Sequence, residues 1–165
     1  MIITLIGMMG VGKTTVGKQL SRDLNWSFYD IDEIIRSRTG KDISEIFFYG
    51  SDLVFRHWER KIIAEVFTKN SQGIIAPGGG AILSRNNRKL FMKEGAVFYL
   101  AADIDEILNR VNFSDRPLLN QADNPEKKIK ELYMQRRELY KMGNKIDTTN
   151  LTVDETVETI KRKIK

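Results

Sequence analysis

Ile2-Ile3-Thr4-Leu5-Ile6-Gly7-Met8-Met9-Gly10-Val11-Gly12-Lys13-Thr14 is the stretch on which the reading of this chain turns. Residues Ile2 to Ile6 are apolar or β-branched, the composition of a buried strand. Gly7 to Thr14 then matches G-x-x-x-x-G-K-[ST], and a helical pattern over Lys13–Leu24 follows directly. Glycines let such a loop curl until successive backbone amides point inward at phosphate oxygens, and the helix start adds its partial positive charge. Lys13 is expected to reach the β- and γ-phosphates of a nucleotide and the Thr14 hydroxyl to ligate magnesium. Random composition produces this pattern in well under about 1% of chains of this length.

Outward from the loop, short apolar runs alternate with helical patterns. Strands are expected at Ser27–Ile31, Gly73–Ala76 and Ala96–Leu100, with a weak one at Lys145–Asp147. Helices are expected at Ile43–Tyr49, Leu53–Thr68, Ser84–Lys93, Ile104–Arg110 and Glu126–Lys141. A last helix starts at the capping box Thr152-Val153-Asp154-Glu155, in which Thr and Glu side chains satisfy each other's free amides. This alternation argues for an α/β fold with a parallel sheet covered on both faces. Ligands of such sheets sit beyond the carboxyl ends of the strands, where every motif considered below falls.

Asp30-Ile31-Asp32 closes the second strand. Continued extended geometry puts Asp30 and Asp32 on one side, where one serves the water shell of a metal and the other takes a hydrogen bond from an attacking hydroxyl. Asp32 fits equally a helix N-cap ahead of Glu33-Ile34-Ile35, and spacing does not separate the two. Phe55-Arg56-His57-Trp58-Glu59 admits an ordinary surface ion pair between Arg56 and Glu59, with His57 a helix-surface residue. Gly78-Gly79-Gly80, after Pro77, lets backbone approach a ligand closely at the end of the third strand. Ser114 to Leu119 is poorly periodic, as a lid would be. Arg136 lies among Glu131, Arg137, Glu138 and Lys141, where a solvated charged face is the default.

Asn144-Lys145-Ile146-Asp147 matches the N-K-x-D guanine-recognition pattern, but no Asp in the chain has Gly three positions on, so the D-x-x-G switch motif is missing. A GTPase switch is thereby disfavoured. At 165 residues, with 41% hydrophobic and 30% charged residues, one globular domain (1–165) is expected. Without cysteine there is no thiolate nucleophile and no disulfide framework. The formal charge of +5 is densest at Lys161-Arg162-Lys163-Ile164-Lys165, which reads as a solvated helix end. No nucleic-acid signature accompanies it. No apolar stretch is long enough to span a bilayer, and a cytoplasmic location is expected.

Together, in this order and spacing, these pieces resemble the shikimate kinase family over nearly the whole chain. The resemblance is most specific in the phosphate loop, in Asp30-x-Asp32, in Phe55-Arg56-x-x-Glu59 with the glycine triplet, and in Arg116-Pro-Leu-Leu followed by Arg136-x-x-Leu-Tyr140. It implies a three-layer P-loop kinase fold, a five-stranded parallel sheet flanked by helices. It further implies transfer of the γ-phosphoryl of ATP to the 3-hydroxyl of shikimate with Mg2+, by a monomer without nucleic-acid or membrane partners. On this likeness, Gly10, Val11, Gly12, Lys13, Thr14, Thr15, Arg110 and Arg116 hold ATP. Asp32, Phe47, Phe55, Arg56, Gly78, Gly79, Gly80 and Arg136 hold shikimate, while Thr14 and Asp30 serve the metal. Lys13, Asp32 and Arg116 are the catalytic candidates. A mobile lid is implied at about 111–124 and an acceptor-binding region at about 32–60. Ala76-Pro77 departs from the family's usual small residue followed by Thr, and proline offers neither an amide hydrogen nor a hydroxyl. A gluconate kinase shares the loop without needing two carboxylate-binding arginines. A nucleotide-binding regulatory module needs no acceptor site at all.

Overall fold

Every residue of β1 (Ile2–Ile6) is buried, as a central strand covered on both faces must be. It pairs in parallel with β3 (Gly73–Ala76) on one side and β4 (Gly95–Ala101) on the other. β2 (Phe28–Asp30) extends the sheet beyond β3, and β5 (Asn144–Asp147) extends it beyond β4. The order is therefore β2-β3-β1-β4-β5, parallel throughout. This computed structural model describes residues 1–111, 119 and 122–164. Among them, seven helices flank the sheet in a three-layer α/β fold.

The chain passes from β1 to the edge strand β2, returns through β3, and crosses to the far side of β1 as β4. That reversal leaves a crevice at the carboxyl end of β1, the place where open parallel sheets bind ligands. Asp30 and Ala76 are register partners, so β2 and β3 release their chains at one level, one residue past the Thr4–Ile75 pair and close to the end of β1. α1 (Lys13–Leu24) starts there and packs against β3 and against α7 (Val153–Ile164). The expected capping box holds α7: Thr152 N donates to Glu155 Oε2 and Glu155 N donates to Thr152 Oγ1. In its last turn, Lys161 pairs with Asp23 and Glu158, so the basic run is a helix terminus as expected.

The second strand is shorter than its composition suggests. α2 (Ile31–Thr39) begins immediately after Asp30, and Asp30, not Asp32, is its N-cap. Extended geometry thus ends at Asp30, and Asp32 lies in the first helical turn. α3 (Ile43–Lys69) includes both helical patterns expected from the sequence, separated by a break at Ser51. Ser51 sits at φ 64° and ψ 169°, a region costly for any residue with a side chain. α4 (Arg85–Glu94) packs on β4 and α3, and α5 (Ile104–Arg110) follows β4. α6 (Pro125–Tyr140) buries Ile129, Leu132, Arg136 and Tyr140 on its inner face. No helix of the described residues is long and apolar enough to cross a membrane.

Candidate active site

The loop after β1 curls as its glycines require. Gly10 has φ 80°, and a Cβ there would stand 2.6 Å from Val111 Cγ2, so no other residue fits without displacing that neighbour. Lys13 Nζ donates to the carbonyls of Gly7 and Met8, both at 2.9 Å, and braces the curl from inside. Thr14 Oγ1 donates to Asp30 Oδ2 at 2.7 Å. The other oxygen of Asp30 accepts from Glu33 N at 3.2 Å, so one carboxylate joins the phosphate loop to the start of α2.

A cleft of about 240 Å³ opens over this loop. Gly10, Gly12, Lys13, Thr14 and Thr15 line it from the phosphate-loop side and Asp30, Asp32, Pro77, Gly78 and Gly79 from the ends of β2 and β3, and Arg110 of α5 also lines it. Asp30 and Asp32 share the cleft through a helical turn, not through strand alternation. Arg110 donates from Nε to Glu106 Oε1 at 2.7 Å and from its guanidinium to the Thr148 and Thr149 carbonyls. This ties α5 to the turn after β5.

Across from the loop, the glycine triplet carries a cluster of charge. A Cβ on Gly80 would lie 2.4 Å from one Arg56 terminal nitrogen and 2.8 Å from Arg56 Cζ, so the guanidinium lies directly on the Gly80 backbone. A Cβ on Gly78 would lie 3.1 Å from Glu59 Oε1 and 3.3 Å from Asp32 Oδ1. Arg56 bonds Glu59 Oε2 at 2.8 Å and reaches Asp52 at 3.3 Å. Its Cζ also sits 5.0 Å from the centre of the Phe55 ring, which packs 4.8 Å from Phe47. The expected surface ion pair is in fact internal: the Glu59 side chain is 0% exposed and that of Arg56 14%.

Two carboxylates, Glu59 and Asp52, flank this guanidinium, and Asp32 lies near enough to Glu59 to act on it. Burial works against the Arg56 charge, but Glu59 and Asp52 outweigh it and hold the group more firmly protonated than usual. For Glu59 the balance goes the other way. Desolvation pushes its carboxyl up to about 7 despite Arg56, and Asp32 and Asp52 add to the rise. A folded-state value above the ordinary 4.5 means that the native state binds the proton more tightly. The contribution to stability is complete below about pH 4.5 and is lost as pH rises through about 7, at most about 3 kcal/mol. Glu59→Gln is therefore expected to flatten the fall in unfolding free energy between about pH 5 and about pH 8. Urea titrations at several pH values test this, and parallel curves for the two proteins would rule it out.

By pattern a solvated face is the default for Arg136, while the family resemblance assigns it to the acceptor; it is 4% exposed, against the default. Its neighbours Arg137 and Glu138 pair outside while it turns inward against Tyr140. Arg136 Nε and Glu59 Oε1 have no hydrogen-bond partner among the described residues. Arg116 and most of the expected lid lie outside the described residues. His57 is exposed, as expected. Asn144 and Asp147 of the N-K-x-D match belong to edge strand β5, where Asp147 accepts from the Thr149 amide and hydroxyl. Sequence reasoning missed the burial of Glu59, whose i,i+3 spacing to Arg56 looks the same on a surface. It also missed Tyr140, whose hydroxyl donates to the Gly79 carbonyl at 2.6 Å. The Arg136-x-x-Leu-Tyr140 motif marks that tyrosine in the sequence but gives it no role.

The family model described as shikimate kinase matches residues 9–165. The shikimate kinase of Thermodesulfovibrio yellowstonii is 43% identical over 160 residues, covering 96% of this chain and 91% of that relative. That of Sulfurihydrogenibium sp. is 40% identical over 166 residues, covering 99% and 97%. Among solved structures, shikimate kinase from Acinetobacter baumannii in complex with shikimate superposes with a TM-score of 0.92 at 34% identity, covering 99% and 92%. Phosphate loop, paired aspartates, a half-buried arginine on a glycine triplet and near-full-length likeness agree: the chain belongs to the shikimate kinase family.

Proposed function

We propose that this chain transfers the γ-phosphoryl of ATP to the 3-hydroxyl of shikimate, a step toward chorismate and the aromatic amino acids. The observation that carries the reading is the single cleft in which Lys13 and Thr14 face Asp32 and Gly78. Gly10, Val11, Gly12, Lys13, Thr14 and Thr15 take the ATP phosphates on inward amides and the Lys13 charge. Arg110, which also lines the cleft, borders the adenine, and Arg116 of the Arg-Pro-Leu-Leu pattern reaches the transferred group from a lid at about 111–124.

On the acceptor side, Arg56 and Arg136 bind the shikimate carboxylate. Planar guanidinium groups suit a bidentate carboxylate, and the unpaired, buried Nε of Arg136 is the donor such a ligand satisfies. Gly78, Gly79 and Gly80 let the ring approach backbone, and Phe47 and Phe55 wall its apolar edge. Asp32, in the first turn of α2, accepts the hydrogen bond of the attacking hydroxyl and orients it. A loose transition state asks little more of a base.

The donor set fits magnesium. Thr14 and Asp30 are in contact at 2.7 Å, and among the described residues no group of three or more His, Cys, Asp or Glu builds a metal cage. Magnesium keeps most of its waters and takes one or two protein ligands plus phosphates, so Thr14 directly and Asp30 through water would hold it. Bound there, it would supply positive charge against the nucleotide phosphates. The whole chain, 1–165, acts as one cytoplasmic, monomeric domain with its acceptor-binding region at about 32–60.

A coupled assay of ADP formation with ATP, magnesium and either shikimate, gluconate or AMP tests the reading. ADP release with shikimate alone is expected. Turnover of gluconate or AMP without shikimate turnover points to a related kinase, and binding of ATP with no turnover points to a regulatory module.

A further inference from the structure

We propose that Tyr140 is a positioning residue for phosphoryl transfer, its hydroxyl holding the Gly79 carbonyl so that the acceptor-side glycine turn stays at a fixed distance from the phosphate loop. The inference rests on the reading of the cleft as a phosphoryl-transfer site. Tyr140 ends α6 and is 0% exposed. Its hydroxyl donates to Gly79 O at 2.6 Å and lies 3.6 Å from Met8 Sδ, so one group touches both the glycine turn and the phosphate loop.

The turn and the loop meet at this point. A Cβ on Gly79 would stand 3.3 Å from the Gly7 carbonyl, 3.5 Å from the Met9 amide and 3.5 Å from the Tyr140 hydroxyl. The ring itself has little freedom: it stacks on Tyr99 with centroids 5.2 Å apart and planes 13° apart. Tyr99 is the register partner of Ile6, the last residue of β1 before the loop. Arg136, one turn earlier on α6, contacts the same hydroxyl. Tyr140 therefore joins the glycine turn, the arginine proposed for the acceptor carboxylate, and the strand that delivers the phosphate loop. Burial pushes its phenol far above the ordinary range, so it remains a hydrogen-bond donor at every pH at which the fold survives.

Such a tie acts on rate because transfer tolerates little error in the distance between acceptor and phosphoryl group. Tyr140→Phe keeps the stack and removes only the donor. With both substrates varied at 25 °C, its kcat/KM for shikimate is expected to fall about 10- to 100-fold while the KM for ATP stays within about two-fold. The loss should be equal at about pH 6.5 and about pH 8.5, because the hydroxyl does not titrate there. Tyr99→Phe takes a hydroxyl from the same stacked pair without touching Gly79 and serves as the stability control. It is expected to retain wild-type kinetics even where its melting temperature drops.

Wild-type kinetics in Tyr140→Phe would overturn the proposal whatever its melting temperature. So would an equal kinetic loss in Tyr99→Phe, or failure of Tyr140→Phe to fold, since both assign the hydroxyl to general stability. A wild type that forms no ADP with shikimate would remove the functional reading and this inference together. An active wild type with an indifferent Tyr140→Phe removes this inference alone.

Discussion

Lys13→Ala is expected to lower kcat with shikimate by about 1,000-fold or more while leaving a folded protein. Lys13 Nζ is partly buried and lies inside the loop, held by the Gly7 and Met8 carbonyls at 2.9 Å. In that position it is the one described cation of the loop itself, and the role proposed for it is to meet the negative charge of the β- and γ-phosphates. A charge of this kind in a cleft that excludes water is worth far more than in bulk solvent. Its loss falls mainly on kcat, because the inward amides of Gly10 to Thr14 still bind ATP. Lys13→Arg is expected to rescue little, since a planar fork cannot sit as a compact point charge between two carbonyls. Steady-state ADP release and thermal melting on the same samples check both variants. A kcat within about 10-fold of wild type in Lys13→Ala would refute the role assigned to it.

What the sequence disclosed and what it withheld divide by range. β1, Lys13–Leu24, Gly73–Ala76 and Ile104–Arg110 lie where local patterns place them, because apolar alternation, glycines and helix starts act over a few residues. The end of β2 was misjudged. Asp30 caps α2 through Glu33 N while its other oxygen accepts from Thr14, sixteen positions earlier in the chain, and the local pattern fits a strand residue equally well. Glu59 is harder still. Its spacing to Arg56 fits a solvated pair, and only the approach of the Gly80 backbone encloses the two. Arg136 gave the same ambiguity, since a helix with many charged residues around it hides which one turns inward. Family resemblance named Arg56 and Arg136 for the acceptor. It could not say that Arg56 shares its charge with a carboxylate whose proton is loosely balanced near neutral pH.

That balance makes Arg56→Ala the variant that separates fold from function. The shikimate KM is expected to rise about 100-fold or more, the cost of losing one partner of a desolvated, hydrogen-bonded charge pair. Stability should fall as well, because Glu59 stays 0% exposed with its cation gone, a change worth about 3–5 kcal/mol when the charge must remain. Glu59 need not remain charged. Arg56 is the group that lowers its pKa, and without it Asp32 and Asp52 push further in the direction in which burial already drives it. The folded-state value then lies above about 7, so stability is recovered as pH falls below that value and lost as it rises. Arg56→Ala should approach wild-type stability near pH 5.5 and depart from it most near about pH 8.5. Adding Glu59→Gln removes the buried charge altogether, and the double variant should be stable at both pH values yet still bind shikimate as weakly as Arg56→Ala. Urea titrations with kinetics on the single and double variants decide the matter. Recovery of a low shikimate KM in the double variant would mean that Arg56 serves the fold and that the carboxylate of the acceptor is bound elsewhere.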